Sequence, residues 1–252
     1  MYAFLTAFGL TYVTIPPIIK IALDKNLCDQ PNARRAHKVP TPSLGGVAMF
    51  GSILFALVLW TPRAAFGQLQ YIFCSFIIIF LIGAKDDIAP VAVSKKIGAQ
   101  LIATLILVLQ SDIRLTSLPG LFGSCAPLPY WLSILLSAFT VIVIMNAFNL
   151  IDGINGLAGS LVALITGTLG CWFLLVDEMA YAVLAFSTVG ATLSFLQYNL
   201  TPARIFMGDT GSLILGMICA ILSIQFIELN TNIPSSSGYL FHNVPVVAIG
   251  IM

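Results

Sequence analysis

The amino-acid sequence predicts an all-α protein, a polytopic bundle of transmembrane helices with its N-terminus outside. Of the 252 residues, 59% are hydrophobic and only 8% are charged, and the mean hydropathy is +1.01. Soluble domains carry about 25% charged residues. The apolar runs have the length of membrane-crossing helices and lack the short alternating pattern of a membrane β-barrel.

Composition also excludes several other classes of protein. A net charge of +1 without a basic cluster gives no surface for nucleic acid. The five cysteines are scattered without a Cys-x-x-Cys pair, which favours small buried hydrophobes over a disulfide or zinc framework. The two histidines, His37 and His242, are too few for a multi-histidine metal site.

The chain is predicted to form a single integral membrane domain over residues 1–252. No basic segment or cleavage site precedes the first apolar run, so Met1 onward is predicted to be a membrane helix and not a removable signal. A ninth apolar run opens near Val244 and reaches Met252, which is short of the roughly 20 residues that a span needs. The eight full spans are predicted at 1–22, 44–61, 69–84, 97–111, 131–148, 157–176, 180–197 and 212–228.

The distribution of Lys and Arg predicts the orientation of these spans. If the first loop is cytoplasmic, nine of the eleven basic residues lie inside and only Arg63 and Arg114 lie outside. The most polar loops then share the cytoplasmic face, which predicts a functional site there. These loops are 24–43, 85–96, 149–156 and 198–211.

One of these loops belongs to an unusually polar stretch, residues 146–159, which contains three Asn, one Asp and three Gly between two apolar runs. Asn146, Asn149, Asp152 and Asn155 follow one another at steps of three, so a helix would keep them near one face. Gly153 and Gly156 favour unwinding of the helix end there, with backbone exposed to a ligand. The alternative is a simple polar turn between two membrane helices.

Four carboxylates are predicted to lie on the same face: Asp86, Asp87, Asp152 and Asp209. Considered alone, Asp209 could simply be the N-cap of the eighth span. Asp86 and Asp87, considered alone, could be a solvated pair in a loop. Taken together, such hard oxygen ligands suit Mg²⁺ or Mn²⁺, and Mg²⁺ is commonly held by one or two carboxylates plus substrate phosphates. This set predicts phosphoryl transfer at a membrane surface.

Four polar motifs follow one another along the chain. They are His37-Lys-Val-Pro-Thr-Pro-Ser-Leu-Gly-Gly46, Asp86-Asp87, Asn146-Ala-Phe-Asn-Leu-Ile-Asp-Gly-Ile-Asn-Gly-Leu-Ala158 and Phe206-Met-Gly-Asp-Thr-Gly-Ser212. They resemble those of the polyprenyl-phosphate N-acetylhexosamine-1-phosphate transferases, within glycosyltransferase family 4. The resemblance runs from about residue 24 to 215 and is nearer to the GlcNAc-1-phosphate branch of the family.

The resemblance implies an enzyme that moves a sugar-1-phosphate from a UDP-N-acetylhexosamine to undecaprenyl phosphate with Mg²⁺ and releases UMP. Such a step initiates cell-envelope polysaccharide, O-antigen or other lipid-linked glycan synthesis at the cytoplasmic face of the bacterial inner membrane. The implied partners are therefore the nucleotide sugar, the lipid phosphate and membrane lipid, without nucleic acid, and a homodimer is left open.

The resemblance also assigns roles to individual residues. Asp86 would be the catalytic base, Asp87 would help to organise metal or phosphates, and Asp209 would be the main metal ligand, with Asp86 and Asp87 as further metal ligands. Asp152 is placed with the catalytic carboxylates, next to the nucleotide. The predicted substrate-binding residues are Lys38, Asn149, Asn155, Asn199 and Phe206.

Two departures from the family pattern qualify these roles. Position 155 is Asn where many members carry Asp, which removes a charge but keeps an acceptor. The family's cytoplasmic His-rich loop beyond the ninth helix has no counterpart before Met252, so the chain is expected to be a C-terminally truncated member. The competing predictions are a non-catalytic relative that binds UDP-sugar or lipid phosphate and, less favoured, an ion-coupled transporter.

Overall fold

A computed structural model describes residues 1–25, 27–29, 41–117, 127–200 and 202–232. Over these residues the chain is a bundle of eight helices with one minimal two-stranded sheet. The elements are α1 (Tyr2–Asp24), β1 (Cys28–Asp29), β2 (Thr41–Pro42), α2 (Gly45–Trp60), α3 (Arg63–Ile88), α4 (Val93–Gln110), α5 (Tyr130–Ile151), α6 (Leu157–Leu175), α7 (Met179–Asn199) and α8 (Gly208–Asn232).

The protein is a multi-pass membrane protein, as predicted. Seven of the described helices are long and apolar enough to cross a bilayer. Helix α2 is equally apolar but has 16 residues, which is about 24 Å of helix at 1.5 Å per residue. Helices suit this environment because they satisfy every backbone N–H and C=O internally, where no water is present to do so.

Each of the eight predicted spans corresponds to one helix, but several helices are longer than their apolar run. Helix α1 continues through Pro16 and Pro17 to Asp24. Helix α3 begins at Arg63 and keeps Lys85, Asp86 and Asp87 inside its last turns, so the loop predicted at 85–96 shortens to four residues. The predicted ninth run lies outside the described residues, as do Lys38 and both histidines.

Helix α8 is the centre of the bundle. It packs against α2, α3, α5, α6 and α7, and nearly all of its residues are buried. Helix α1 packs on α2 and α7 at the periphery, and α4 packs on α3 and α5. The segment that begins α8 is therefore surrounded by the ends of other helices.

We call the end of the bundle where α1, α3, α5 and α7 finish and α2, α4, α6 and α8 begin the site end. Backbone hydrogen bonds join two of its segments. Phe206 N–H donates to the Pro42 carbonyl at 2.7 Å, and Gly45 and Gly46 N–H donate to the carbonyls of Phe206 and Met207 at 3.0 and 2.8 Å. The bonds from Gly45 and Gly46 satisfy two of the free N–H groups of the first turn of α2 and fix its start beside the start of α8.

Candidate active site

The free N–H groups in the first turn of α8 are capped by a carboxylate from another helix. Asp87, near the end of α3, accepts hydrogen bonds at Oδ1 from Asp209 N–H at 2.6 Å and at Oδ2 from Thr210 N–H at 3.0 Å. The Thr210 hydroxyl also donates to Asp87 Oδ2, at 2.5 Å. Asp87 therefore acts as a cap from a neighbouring helix, because free N–H groups at a helix start favour a negative charge.

Glycines allow this close approach of helix ends. A Cβ on Gly208, whose φ is +74°, would lie 2.1 Å from the Ser43 carbonyl oxygen and 2.7 Å from Asp87 Oδ1. A Cβ on Gly83, one turn before Asp87, would lie 2.6 Å from Thr210 Cα. The end of α3 and the start of α8 can touch because neither carries a side chain at these positions.

Asp209 lies in the first turn of α8, and two other helices hold its carboxylate. Asn149 Nδ2, on α5, donates to Asp209 Oδ1 at 2.8 Å and lies 3.0 Å from Ser212 Oγ. The Lys96 ammonium, on α4, pairs with Asp209 Oδ2. The same ammonium lies 3.3 Å from Asp86 Oδ2, and Asp86 Oδ1 accepts from Val91 N–H at 2.6 Å.

Lys96 therefore joins Asp86 of α3 to Asp209 of α8. It is not among the site residues predicted from the sequence, where the adjacent Lys95 and Lys96 served only to indicate the cytoplasmic side. Lysines are expected in this predicted cytoplasmic loop from the membrane topology alone, whether or not a functional site is present. The sequence therefore gives no signal that Lys96 belongs to the site and Lys95 does not. In the structure Lys95 is exposed, whereas the Lys96 side chain is 15% exposed.

A second contact lies one turn deeper in the bundle and joins Asn146 of the polar stretch to Gln100, which was not predicted from the sequence. Asn146 Nδ2 donates to Gln100 Oε1 at 2.8 Å, and Gln100 Nε2 lies 3.4 Å from Asn146 Oδ1. Gln100 follows Lys96 by four residues on α4, and Asn146 precedes Asn149 by three on α5. The pair locks α4 to α5 directly beneath the two side chains that converge on Asp209. A carboxamide well inside an apolar span is the signal that could have identified Gln100.

The turn between α5 and α6 completes this end of the bundle. Helix α5 ends at Ile151 and α6 begins at Leu157, so the chain unwinds around Gly153 and Gly156 as predicted. Gly156 has a φ of +75°. Asp152 is the C-terminal cap of α5, and Asn155 is half-buried in the turn.

The pKa of Asp152 is raised to about 7. Burial is the main cause, and the negative charge of Asp87 adds to it, whereas a hydrogen bond with the Gly208 backbone acts in the opposite direction. Asp152 therefore interacts electrostatically with Asp87, the carboxylate that caps α8. The four predicted carboxylates thus occupy one region at the site end.

Asn199, predicted to face the nucleotide, is buried and bonded to backbone on both sides. Its Oδ1 accepts from Gly156 N–H at 2.7 Å and its Nδ2 donates to the Ile205 carbonyl at 2.9 Å. It thereby ties the α5–α6 turn to the segment that leads into α8. Direct contact of Asn199 with a nucleotide stays a prediction, and the structure gives this residue a positioning role. Phe206 is half-buried in the same segment.

The oxygen atoms available as metal ligands at the site end can be compared with the coordination that a hard divalent cation needs. Among the described residues, no group of three or more His, Cys, Asp and Glu side chains is arranged to hold a metal ion. Both oxygens of Asp87 accept bonds from α8. Asp152 has a hydrogen bond with the Gly208 backbone. One oxygen each of Asp86 and Asp209 is directed at the Lys96 ammonium. Two carboxylates that already converge on a cation fit Mg²⁺, which completes its shell with water and substrate phosphates.

Comparisons with known proteins agree with the motifs. A family model described as glycosyl transferase family 4 matches residues 69–227, a range that includes all the described carboxylates of the site. A probable undecaprenyl-phosphate N-acetylglucosaminyl 1-phosphate transferase of Bacillus subtilis is 30% identical over 243 residues, which are 96% of this chain and 66% of that protein.

Two further relatives are undecaprenyl-phosphate alpha-N-acetylglucosaminyl 1-phosphate transferases. The Yersinia pestis protein is 26% identical over 92% of this chain and 63% of its own length. The Escherichia coli (strain K12) protein is 29% identical over 78% of this chain and 54% of its own length. The chain thus spans about half to two thirds of the length of the curated relatives that it matches.

Proposed function

Because the chain belongs to glycosyl transferase family 4, we propose that it transfers GlcNAc-1-phosphate from UDP-GlcNAc to undecaprenyl phosphate and releases UMP. The names of the relatives support the lipid acceptor and the N-acetylglucosaminyl 1-phosphate group. The observation that carries the proposal is the junction at which Asp86, Lys96, Asn149 and Asp209 meet. It joins four helices at one end of a membrane bundle, where a lipid phosphate and a water-soluble nucleotide can reach the same point.

Mg²⁺ is the proposed cofactor, with Asp86 and Asp209 as its protein ligands. When bound, it would neutralise phosphate charge and polarise the phosphoryl group that is transferred. Asp87 is proposed to act indirectly: its bonds to Asp209 N–H and to Thr210 fix the start of α8 and hence the direction of the Asp209 carboxylate. Asn149 fixes the other oxygen of Asp209.

The reaction breaks one bond and forms one. An oxygen of the lipid phosphate attacks the phosphorus that carries the sugar, and the bond from that phosphorus to the UMP oxygen breaks. Asp86 is the proposed acceptor for a proton remaining on the lipid phosphate. The second pKa of a phosphate monoester is about 6, so at neutral pH only a minor fraction carries that proton.

The nucleotide is proposed to lie over the α5–α6 turn. Asn149, Asp152 and Asn155 come from this turn or the helix before it, and Phe206 lies in the segment that Asn199 joins to the turn. Phe206 would stack on the uracil, and Lys38 would meet the diphosphate. The site is proposed to face the cytoplasm from the bacterial inner membrane, in agreement with the nine basic residues predicted on that side.

The test is a transfer assay with membranes that contain the chain. Labelled GlcNAc-1-phosphate is followed from UDP-GlcNAc to undecaprenyl phosphate with Mg²⁺ and with EDTA. Asp209→Asn keeps the shape of the side chain but removes the charged metal ligand. We expect it to lower the rate by more than about 100-fold, because even outer-shell partners of metal ligands are worth 10- to 100-fold.

Asp24→Asn is the matched control, since Asp24 is an exposed aspartate at the same end of the bundle. It should leave the rate within about two-fold of the parent, because surface substitutions usually have small effects. Equal rates for Asp209→Asn and the parent would contradict the proposal. Binding of UDP-GlcNAc without transfer in the parent would instead favour the non-catalytic binding protein.

A further inference from the structure

The Lys96 ammonium occupies the point at which the two proposed metal ligands converge. It pairs with Asp209 Oδ2 and lies 3.3 Å from Asp86 Oδ2. The three side chains are 15%, 17% and 26% exposed for Lys96, Asp86 and Asp209. Partial burial strengthens such pairs relative to surface ion pairs, because water screens them less.

The other groups around this point do not replace Lys96. The oxygens of Asp87 accept from the start of α8, and Asn149 bonds the opposite oxygen of Asp209. Within the described parts of the chain, no second cationic side chain pairs with Asp86 or Asp209. One ammonium therefore balances two carboxylates from different helices.

We propose that Lys96 is an exchangeable counter-cation of the site. Its ammonium holds Asp86 and Asp209 together while the divalent cation is absent and leaves Asp209 when the cation binds. This inference rests on the proposed function, from which it takes the metal site. The physical reason is that an ammonium and a divalent cation repel each other too strongly to share one carboxylate oxygen.

The exchange links the cation to the substrate. Lys96 lies on a flexible four-carbon stem, and its ammonium is a compact charge that can reorient once it leaves Asp209. The nearest new anion is then the phosphate that enters with the nucleotide sugar or the lipid. Lys96 thus weakens binding of the divalent cation in the substrate-free protein. Once the cation and the substrate are bound, the Lys96 ammonium is free to contact the substrate phosphate.

The experiment measures Mn²⁺ binding to the purified chain in detergent, through the electron paramagnetic resonance signal of free Mn²⁺. No substrate is present. We expect Lys96→Met to bind Mn²⁺ at least ten-fold more tightly than the parent, and Asp209→Asn to lose binding. Lys95→Met is the matched control: it removes the same charge from the neighbouring, exposed position and should change the affinity by less than three-fold.

A second measurement uses the unmodified protein, in case Lys96→Met does not fold. An amine-acylating reagent is applied with and without Mn²⁺, and the modification of each lysine is read by mass spectrometry. Lys96 should become several-fold more reactive when Mn²⁺ is added, whereas Lys95 should not change. An unchanged Lys96 would overturn the proposal.

The outcomes separate this inference from the proposed function. If Asp209→Asn abolishes Mn²⁺ binding but Lys96→Met binds no more tightly than the parent, the metal site stands and the exchange is refuted. If neither the parent nor Lys96→Met binds Mn²⁺, the exchange and the assigned metal ligands both fail. The transferase activity itself is decided separately, by the transfer assay.

Discussion

The adjacent carboxylates Asp86 and Asp87 have different partners in the folded chain. Successive residues of a helix point in directions about 100° apart, so two neighbours on α3 cannot serve the same point. Asp86 faces Lys96 of α4, whereas Asp87 faces the first turn of α8. One carboxylate thus pairs with Lys96, and the other fixes the start of α8.

A pH dependence of stability is expected from Asp152. Its pKa is 3.8 in a model peptide and about 7 in the folded chain, so between these values the folded state binds more protons than the unfolded state. The free energy of unfolding should therefore fall as pH rises from about 4 to 7, by at most about 1.4 kcal/mol per pH unit. Above pH 7 this contribution levels off.

The measurement is denaturation in detergent with EDTA, from pH 5 to pH 8. Asp152→Asn should lose the part of the pH dependence that Asp152 causes, because the amide does not titrate. Asp24→Asn, at an exposed position, should retain it. Parallel curves for the parent and Asp152→Asn would refute the expectation.

Asn199 should matter for stability through two buried hydrogen bonds. Asn199→Leu preserves the volume but leaves Gly156 N–H and the Ile205 carbonyl without their partner. Each buried group left unsatisfied costs about 1–3 kcal/mol, so a clear loss of thermal stability is expected. Gln197→Leu, at an exposed position of the same helix, is the control and should be nearly neutral. Equal stability of the two variants would argue against the positioning role.

The sequence predicted that polar residues from several motifs would share one face of the bundle, and their chemical roles stay predictions. Asp209 and Asn149 lie at membrane boundaries in dense polar motifs, and the structure brings them into contact. Lys96 was missed because the topology alone accounts for a lysine there. Its partner in the fold, Asp209, is 113 positions away, and no local pattern reports so distant a contact.

At the scale of elements, the apolar runs predict the helices but not their ends. Helix α3 includes three charged residues at one end and Arg63 at the other, although its apolar run is shorter. Its last turn stays helical because Asp86 accepts from Val91 N–H beyond the helix end and Asp87 bonds to α8. Hydropathy marks the apolar part of a helix, whether it faces lipid or other helices, whereas tertiary contacts decide where the helix ends.

The packing of α2 on α8 depends on the absence of side chains. A Cβ on Gly46 would lie 2.1 Å from Gly211 N and 2.5 Å from Gly211 Cα, and these are backbone atoms that cannot rotate away. Gly46→Ala should therefore separate the two helix starts and destabilise the chain by about 1–3 kcal/mol, as overpacking typically does.

Gly51→Ala is the matched control on the same helix. Nothing lies within 4 Å of a Cβ at Gly51, so this change should be neutral or stabilise by up to about 1 kcal/mol through helix propensity. Thermal unfolding in detergent compares the two variants. A Gly46→Ala protein as stable as Gly51→Ala would mean that the helices are not in such close contact.

At the scale of the molecule, alternation of eight helices brings every second connection to the site end. Convergence of the polar motifs there follows from the count of spans and could be predicted without any contact. The central position of α8 could not be predicted, because all the helices are similarly apolar. Only the packing shows which helix is surrounded by other helices and which helices face lipid. The centre matters because it carries Asp209 to the meeting point of α3, α4 and α5.

The orientation of the whole bundle is the remaining prediction, and it follows from nine basic residues on one side against two on the other. Single cysteines can be introduced at exposed positions in a chain freed of its five native cysteines. Ala89 lies between α3 and α4 at the site end, and Arg63 begins α3 at the opposite end.

With a membrane-impermeant maleimide on right-side-out spheroplasts, Arg63→Cys should be labelled directly. Ala89→Cys should be labelled only after the membrane is opened. The reverse pattern would place the site end outside the cell. The Asp86–Lys96–Asp209 junction would then be separated from cytoplasmic nucleotide sugars, and transfer from UDP-GlcNAc at this junction would be ruled out in the living cell.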